Sequence, residues 1–338
     1  MINLSPKNAM VAVIASLRAN FPILLVGGPG LGKTDVVRAV ASGLNWPVIL
    51  KHPVTEDSVD YKGMPYAESG VADFLPFGDQ RQMMDATSDT IVFLDDVGQA
   101  LPSTQAALMQ LVLGRQLNGH RIPDHVRFVL ATNRKTDNAG VQTLLAPLLG
   151  RMTIVNVEPS LEDWVEWALE HEVPAEMISF IRFQPELLID QKGVKSGRIE
   201  NTYNPRNVTR CAMLYDQCKA DGVSQVVQHA LYEGCCGEGF AAQFLAFVKV
   251  CENLPSKASI IADPQGVSVP ADSATRYAIV GFLANAVRPD EPEVWEYVER
   301  FGAEYSVLFA RDTVYGNPDM AETAEYVSWG LRHADVLS

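Results

Sequence analysis

Short apolar runs alternate with helical patterns in the first half of the chain. Ile23–Val26, Ile91–Leu94 and Phe128–Thr132 are predominantly apolar runs, and runs that are apolar on both faces are typical of strands in a parallel sheet. Helical patterns such as Gln105–Leu113 lie between them. The alternation predicts an α/β core over residues 1–158, in which a parallel sheet is flanked by helices and joined by short crossovers.

The pattern changes at Pro159. From there helical patterns follow one another, which predicts an all-helical lid over residues 159–254. After a link that contains proline and glycine, further helical patterns predict a helical C-terminal extension over residues 255–338. The segment Gln191–Asn204 carries glycines and charges between two helical patterns, so we expect it to be a hinge or a mobile segment.

Composition places the chain among folded globular proteins. Of its 338 residues, 47% are apolar and 20% are charged. A formal net charge of −14 makes generic attraction to nucleic acid unfavourable. Much of this charge lies in the C-terminal extension, where a solvated face is the commoner explanation and a docking surface is the alternative.

The five cysteines, an odd number without a CxxC pair, favour free thiols in a reducing cytosol over disulfides or a zinc site. Met10, Val13, Ile14 and Leu17 fall on one face of a helical pattern, which favours an ordinary helix over a signal sequence. No apolar run approaches the length that spans a bilayer. We therefore expect a cytoplasmic protein with no membrane span.

The segment GGPGLGKT follows the first apolar run and matches the phosphate-binding pattern GxxxxGK[ST]. Glycines allow backbone N–H groups to curl round phosphate oxygens, and the following helix adds the positive end of its dipole. Lys33 is expected to reach the β and γ phosphates, and the Thr34 hydroxyl is placed to ligate Mg²⁺. A glycine turn without a ligand is the alternative. The residues expected to bind the nucleotide and its metal are Gly28, Gly30, Gly32, Lys33, Thr34 and, further along the chain, Asp95.

Two carboxylates follow the run Ile91–Leu94. Side chains at the carboxyl ends of parallel strands lie where ligands collect. Asp95 is the candidate for holding the metal, and Asp96 is the candidate base that orients and polarises the attacking water. A polar turn after a strand is the alternative, which the phosphate-binding pattern upstream makes less attractive.

Asn133 follows Phe128–Thr132, and its amide is suited to hydrogen-bond the γ phosphate or the lytic water. A lone asparagine after a strand is more often a turn residue. Arg151 stands at a Gly-Arg corner between an apolar helix end and another strand pattern. It either pairs with the acidic surface, or points at the nucleotide of a neighbouring subunit and stabilises the transition-state charge.

Together these motifs resemble an AAA+ ATPase of the MoxR-like branch over roughly residues 22–209. GGPGLGKT resembles Walker A, FLDD resembles Walker B, ATNR resembles sensor 1 and LLGRM resembles the arginine-finger corner. The stretch NPRNVT resembles sensor 2, which implies that Arg206 reaches the γ phosphate from the lid. The resemblance also implies two hairpins, over Tyr61–Gly78 and Gly114–Asp124.

The resemblance implies ATP hydrolysis with Mg²⁺ in a homo-oligomer, a ring of six subunits, acting as a chaperone-like factor on a client protein. A client with a von Willebrand factor A domain is typical of the branch. One departure is that this family has Asp-Glu where the chain has Asp95-Asp96. The carboxylate is then about 1 Å short of its best position, and a misplacement of that size costs on the order of a hundredfold in rate.

Two other functions fit parts of the pattern. A nucleotide-controlled scaffold or assembly protein with weak hydrolysis is favoured by Asp96. A DNA-handling ATPase suits the phosphate-binding loop but not the net charge of −14. Guanine specificity is disfavoured, since no NKxD motif follows the third apolar run.

Overall fold

The computed structural model describes residues 2–68, 70–137, 144–189 and 200–334. The chain divides into two compact units, Met1–Ser160 and Leu161–Ser338. The predicted boundary after residue 158 lies close to this division. Residues 191–199 of the predicted hinge lie outside the described residues, so that expectation stays a prediction.

The first unit is built on a parallel sheet. Its strands are β1 (Asn3–Leu4), β2 (Ile23–Val26), β3 (Val48–Lys51), β4 (Met64–Glu68), β5 (Val71–Leu75), β6 (Thr90–Leu94), β7 (Gln116–Leu117), β8 (His120–Arg121), β9 (Val126–Thr132) and β10 (Thr153–Val157). Six of them form one sheet in the order β1-β10-β2-β9-β6-β3, and every neighbouring pair in it is parallel. The phosphate-loop strand β2 therefore lies beside β9, which in turn lies beside β6.

Helices cover both faces of this sheet. They are α1 (Pro6–Arg18), α2 (Lys33–Leu44), α3 (Gly78–Met84), α4 (Pro102–Val112) and α5 (Ala146–Leu149), with short 3₁₀ helices at Ser58–Tyr61, Val97–Gln99 and Lys135–Asp137. Leu24 and Leu130 pack with α4 on one face, whereas Ile23 and Val129 pack with α1 and α2 on the other. Strands buried on both faces need apolar residues at successive positions, which explains the continuous runs in the sequence.

Two antiparallel hairpins project from the first unit. In the first, β4 pairs with β5, and in the second β7 pairs with β8, so both expected hairpins are confirmed. The side chain of Asn118 donates to the Lys62 carbonyl, and the His120 ring lies 3.2 Å from the Phe74 carbonyl oxygen. The hairpins are therefore hydrogen-bonded to each other.

Lys51, at the end of β3, joins both ends of the first hairpin to the sheet. Its side chain is only 4% exposed, and its Nζ lies 3.0 Å from Glu56 Oε1, before the hairpin, and 3.2 Å from Asp79 Oδ2, after it. The same ammonium lies 5.0 Å from the centre of the Tyr61 ring. Burial and the hydrogen bond to Glu56 raise the pKa of the Tyr61 hydroxyl, so it stays a neutral donor.

Replacing Lys51 with methionine is expected to loosen the first hairpin. The substitution removes the cation that both carboxylates contact, at a cost of about 1–2 kcal/mol because Asp79 stays partly hydrated. Urea unfolding should show this loss, and limited proteolysis should show faster cleavage between β4 and β5. Lys249→Met, at an exposed lysine, is the control, and equal cleavage rates in the two variants would contradict the expectation.

The second unit is helical. Its helices are α6 (Leu161–Glu170), α7 (Ala175–Phe183), α8 (Pro205–Ala220), α9 (Gln225–Cys236), α10 (Glu238–Cys251), α11 (Lys257–Ala262), α12 (Ser273–Ala286), α13 (Pro292–Glu299), α14 (Ala303–Gly316) and α15 (Ala324–Arg332), with 3₁₀ helices at Pro185–Leu188 and Pro318–Glu322. The predicted parallel sheet flanked by helices and the helical region after it are both confirmed. No helix within the described ranges has the length and apolar content to cross a membrane.

Helices on the two sides of residue 254 pack against each other within this unit. A Cβ on Gly281 of α12 would lie 2.2 Å from the Ser179 hydroxyl oxygen of α7, so the two helices are in close contact there. Arg182 of α7 forms a buried, two-pronged ion pair with Asp312 of α14. The separation of a lid from a C-terminal extension at residue 254 stays a prediction.

Candidate functional site

Three strand ends bring the predicted site residues of the first unit together. The glycine-rich loop follows β2, Asn133 follows β9, and Asp95 follows β6. Because β9 lies between β2 and β6, with Leu24 opposite Leu130 and Leu130 opposite Leu94, these ends meet at one edge of the sheet. The carboxyl edge of a parallel sheet is where α/β proteins bind ligands.

The loop requires glycine for two physical reasons. Gly30 and Gly32 have φ values of 75° and 80°, in the left-handed region that side chains disfavour. Gly27 approaches the neighbouring strand so closely that a Cβ would lie 2.7 Å from the Val157 carbonyl oxygen. α2 begins at Lys33, so the free N–H groups and the positive dipole end of that helix face the loop.

The Lys33 side chain is 7% exposed and lies across the loop. Its ammonium donates to the carbonyl oxygens of Gly27 and Gly28, at 2.9 Å and 2.8 Å, and to Asn133 Oδ1 at 2.9 Å. A buried ammonium needs such acceptors, because an unpaired charge is costly to remove from water. These bonds hold the cation at the mouth of the glycine-rich loop.

A hydroxyl and a carboxylate form an oxygen pair beside this cation. The Thr34 hydroxyl donates to Asp95 Oδ2 at 2.8 Å, and the backbone N–H of Asp96 donates to Asp95 Oδ1 at 3.0 Å. Asp95 is 9% exposed. Hard oxygen ligands of this kind suit Mg²⁺, which usually keeps several waters and shares its remaining positions with phosphate. Among the described residues no group of three or more His, Cys, Asp and Glu side chains is arranged to hold a metal.

Asp96 has an unusual backbone conformation. Its φ of 57° and ψ of 34° are left-handed, which aspartate tolerates better than most residues. Its half-buried carboxylate accepts a hydrogen bond of 3.1 Å from Asn133 Nδ2. Asn133 thus bridges Lys33, through its amide oxygen, and Asp96, through its amide nitrogen. Strain at a strand end that also carries polar groups is a feature of functional sites.

The sequence did not predict a set of contacts made by Arg134 behind the glycine-rich loop. The Arg134 guanidinium lies 3.2 Å from Glu158 Oε1 and donates to the Val157 carbonyl at 3.4 Å, the same carbonyl that faces Gly27. The Arg134 backbone N–H donates to Asp137 Oδ2 at 2.9 Å. The sequence shows that the charged residue Arg134 follows Asn133. It does not show that the partners of Arg134 are Glu158 and the Val157 carbonyl, at the end of β10.

The two predicted arginines lie in different units. Arg151 is exposed in the turn after α5, beside an open groove lined by residues of α4 and its C-terminal end. Arg206 is exposed in the first turn of α8, in the second unit. Neither has a hydrogen bond or an ion pair with the described residues. The structure brings together Lys33, Thr34, Asp95, Asp96 and Asn133, whereas the reach of Arg206 to that cluster stays a prediction.

Comparison with known proteins finds a family match within the first unit. Residues 23–159 match the ATPase family associated with various cellular activities (AAA). No curated protein matches the chain. Among solved structures, NtrX from Brucella abortus in complex with ADP is 14% identical with a TM-score of 0.42, covering 100% of this chain and 70% of that one. A point mutant of Thermotoga maritima RuvB is 12% identical with a TM-score of 0.43, covering 97% of this chain and 88% of that one.

The matched stretch contains the glycine-rich loop and every strand end of the cluster. Over these residues the chain is similar to the AAA ATPase family, whose domains bind nucleotide and generally act as ATPases. The assignment to the MoxR-like branch remains a prediction.

Proposed function

Taking the ATPase-family domain at residues 23–159 as the premise, we propose that the protein is a MoxR-like AAA+ ATPase. In this proposal it hydrolyses ATP with Mg²⁺ in a hexameric ring and uses the energy to remodel or mature a partner protein. The observation that carries the proposal is the hydrogen-bonded chain from Lys33 through Asn133 to Asp96, placed beside the Thr34 and Asp95 oxygens.

Nucleotide binding uses the loop and Lys33. The Lys33 ammonium now donates to two carbonyl oxygens and one amide oxygen, all of them neutral acceptors. Anionic β and γ phosphate oxygens are stronger acceptors for the same donors. The N–H groups at the start of α2 complete an anion site of the kind that binds phosphate at helix N-termini. Affinity for the triphosphate therefore rests on groups that are already close to their working positions.

Thr34 and Asp95 are the residues that would hold Mg²⁺, directly or through water. When bound, the ion neutralises charge on the β and γ phosphates. Asp95 is fixed for this role because its Oδ1 accepts a backbone N–H and its Oδ2 accepts the Thr34 hydroxyl. The pair is thereby pre-oriented with its oxygen atoms together.

Hydrolysis uses the remaining two side chains. In this proposal the Asp96 carboxylate accepts a hydrogen bond from the attacking water and aligns that water with the γ phosphate. The Asn133 amide, now 3.1 Å from Asp96 and 2.9 Å from Lys33, can donate to the γ phosphate or to that water. The Asn133 amide thus connects Lys33, the proposed phosphate ligand, with Asp96, the proposed base that activates water.

The two arginines have separate roles in this proposal: Arg151 acts on a neighbouring subunit of the ring, and Arg206 acts from the helical lid. Arg151 is exposed and has no partner among the described residues, as expected of a side chain that completes the site of a neighbouring subunit. Arg206 is assigned to its own subunit's γ phosphate from the helical unit. The proposed client is a protein, for example one with a von Willebrand factor A domain, and the proposed location is the cytoplasm.

A second candidate is a nucleotide-controlled scaffold that binds ATP, changes its oligomeric state and hydrolyses ATP weakly. Asp96 favours it, because aspartate is one methylene shorter than the glutamate of this family and is held by Asn133. Both candidates share the nucleotide site and differ in turnover.

Replacing Lys33 with methionine tests the shared site. We expect affinity for Mg·ATP to fall by about 2–5 kcal/mol, roughly thirtyfold to several thousandfold in Kd, because phosphate loses a buried cationic partner. Titration calorimetry with a slowly hydrolysed ATP analogue measures this directly. Lys249→Met, at an exposed lysine of the helical unit, is the matched control. The proposal fails if the unaltered protein binds no nucleotide, or if both variants bind equally well.

A further inference from the structure

Gln105 of α4 is a polar side chain with no exposed surface. The same helix contributes Leu108, Leu111 and Val112 to the apolar cluster on one face of the sheet. A buried amide costs free energy unless its donor and its acceptor are both paired, whereas an apolar side chain in that place carries no such cost. The proposed nucleotide site does not use this amide, so its partners indicate its role.

Both polar groups of the Gln105 amide are paired with backbone. Its Nε2 donates to the Ala100 carbonyl at 3.1 Å, and its Oε1 accepts the Leu145 backbone N–H at 3.2 Å. A carbonyl oxygen only accepts and a backbone N–H only donates, so these two partners fix the orientation of the amide. The side chain is therefore a bridge between two segments that lie far apart in the sequence.

The Ala100 end of the bridge belongs to the segment that follows the two carboxylates. Asp96 precedes the 3₁₀ helix Val97–Gln99, and Ala100 follows it. The Asp96 carbonyl accepts the backbone N–H of Gln99 at 3.0 Å, and the Val97 carbonyl accepts that of Ala100 at 3.3 Å. Val97 and Ala100 have no exposed surface. This end of the bridge is therefore fixed to a short, buried turn that begins at the proposed base.

The Leu145 end of the bridge leads to Arg151. Leu145 is the N-cap of α5, and its carbonyl accepts the backbone N–H groups of Leu148 and Leu149, at 2.9 Å and 3.2 Å. α5 is a helix of four residues, and Arg151 is the second residue after it. A helix of one turn is not stable by its own hydrogen bonds, so contacts outside it fix its direction. The bond between the Gln105 amide oxygen and the Leu145 N–H is one such contact.

The direction of this turn matters for the Arg151 side chain. That side chain is exposed and borders an open groove whose other wall includes Ala106 and Met109 of α4. α4 is itself held at its start, because the buried Thr104 hydroxyl donates to the Glu56 carbonyl at 3.3 Å. The same helix thus carries the groove wall and the amide that reaches α5. An error of about 1 Å in the placement of a group that acts on a transition state costs on the order of a hundredfold in rate.

We propose that Gln105 is a positioning residue that orients the Arg151 turn, anchored on the segment that follows Asp96. The inference rests on the proposed function, in which Arg151 completes the nucleotide site of a second copy of this chain. One amide then connects the carboxylate end of a subunit's own site to the arginine that the subunit offers to its neighbour. An apolar side chain at this position would leave the Ala100 carbonyl and the Leu145 N–H without these bonds.

Replacing Gln105 with methionine tests this role on the full chain. Methionine has a similar length but forms neither bond, so we expect ATP turnover to fall at least about tenfold through a misplaced Arg151. Affinity for ATP should stay within about threefold, since the lost interaction acts only in the transition state. Phosphate release measures turnover, calorimetry measures affinity, and thermal unfolding measures stability. Gln82→Met, at an exposed glutamine of α3, is the matched control. Gln105→Asn keeps an amide that is too short to reach both partners, and it takes the same test if the methionine variant does not fold.

Mixed oligomers separate a positioning role from a structural one. Asp96→Asn subunits carry an intact Gln105 and Arg151, so an equal mixture with Gln105→Met subunits should give at least about five times the mean of the two separate activities. An equal mixture of Gln105→Met with Arg151→Ala should give only the mean, because neither variant supplies a well-placed arginine. The opposite pattern, a gain in neither mixture, or unchanged turnover in Gln105→Met alone would each overturn the proposal.

A reference mixture separates this inference from the proposed function. Asp96→Asn and Arg151→Ala subunits both keep Gln105, so their mixture gains activity if the site is shared between subunits. A gain there, without one in the mixture of Asp96→Asn with Gln105→Met, would overturn the role of Gln105 alone. No gain in the reference mixture would overturn the shared site, and the role of Gln105 with it.

Discussion

An Arg151→Ala variant is expected to lose about a thousandfold or more in ATP turnover while its affinity for ATP stays unchanged. An arginine supplied by a neighbouring subunit stabilises the transition-state charge and contributes about 10³–10⁵ in rate. Arg151 is exposed and without a partner among the described residues, so its removal should not destabilise the subunit. Phosphate release measures turnover, and calorimetry measures affinity.

Mixing experiments show whether the arginine acts on a neighbour. Arg151→Ala and Asp96→Asn subunits are each expected to be inactive alone, but a mixture should regain activity. In a random mixture, about a quarter of head-to-tail interfaces combine an intact Asp96 with an intact neighbouring Arg151. Arg18→Ala, at another exposed arginine of the same unit, is the control. Activity that is proportional to protein concentration and indifferent to Arg151 would exclude a shared site.

Replacing Asp96 with asparagine is expected to lower turnover by a factor of about 10²–10⁴, which is the usual contribution of a positioned base. ATP binding should be retained. Asparagine is nearly isosteric and also tolerates the left-handed conformation, with φ of 57°, so the change removes charge without adding backbone strain. Single-turnover hydrolysis measures the rate, calorimetry measures the affinity for ATP, and thermal unfolding measures the stability of the variant. Unchanged turnover would remove Asp96 from the mechanism.

Asp96→Glu separates the remodelling ATPase from the weakly hydrolysing scaffold. Glutamate restores the reach of the family's usual residue, and a correction of about 1 Å is worth on the order of a hundredfold in rate. A gain of that size would mean that the native site is detuned and would favour the scaffold. A change of less than about threefold would mean that the site already positions water well, which favours the remodelling ATPase.

Local features of the site were predictable because they depend on residues close together in sequence. The spacing from the glycines to Lys33 and Thr34 is set by one loop and one helix start, and the predicted strand, loop and helix are confirmed there. The same holds for the strand before Asp95. In each case the pattern encodes backbone conformation over about ten residues.

The connections between these elements were not predictable. The bridge from Lys33 through Asn133 to Asp96 exists because β9 lies between β2 and β6, and strand order depends on contacts between distant parts of the chain. The left-handed backbone of Asp96 has no signal in composition. The ion pairs of Lys51 join residues on both sides of a hairpin insertion, so neither spacing nor periodicity marks them.

Lys51 links the carboxylates and the hairpins mechanically. Its carbonyl oxygen accepts a hydrogen bond of 2.9 Å from the backbone N–H of Asp95. Its side chain contacts one carboxylate before the first hairpin and one after it. If Asp95 moves when nucleotide binds, its hydrogen bond to the Lys51 carbonyl would transmit that movement to the residues on both sides of the first hairpin. Because the second hairpin is hydrogen-bonded to the first, both hairpins are connected to the carboxylate end of β6 through Lys51.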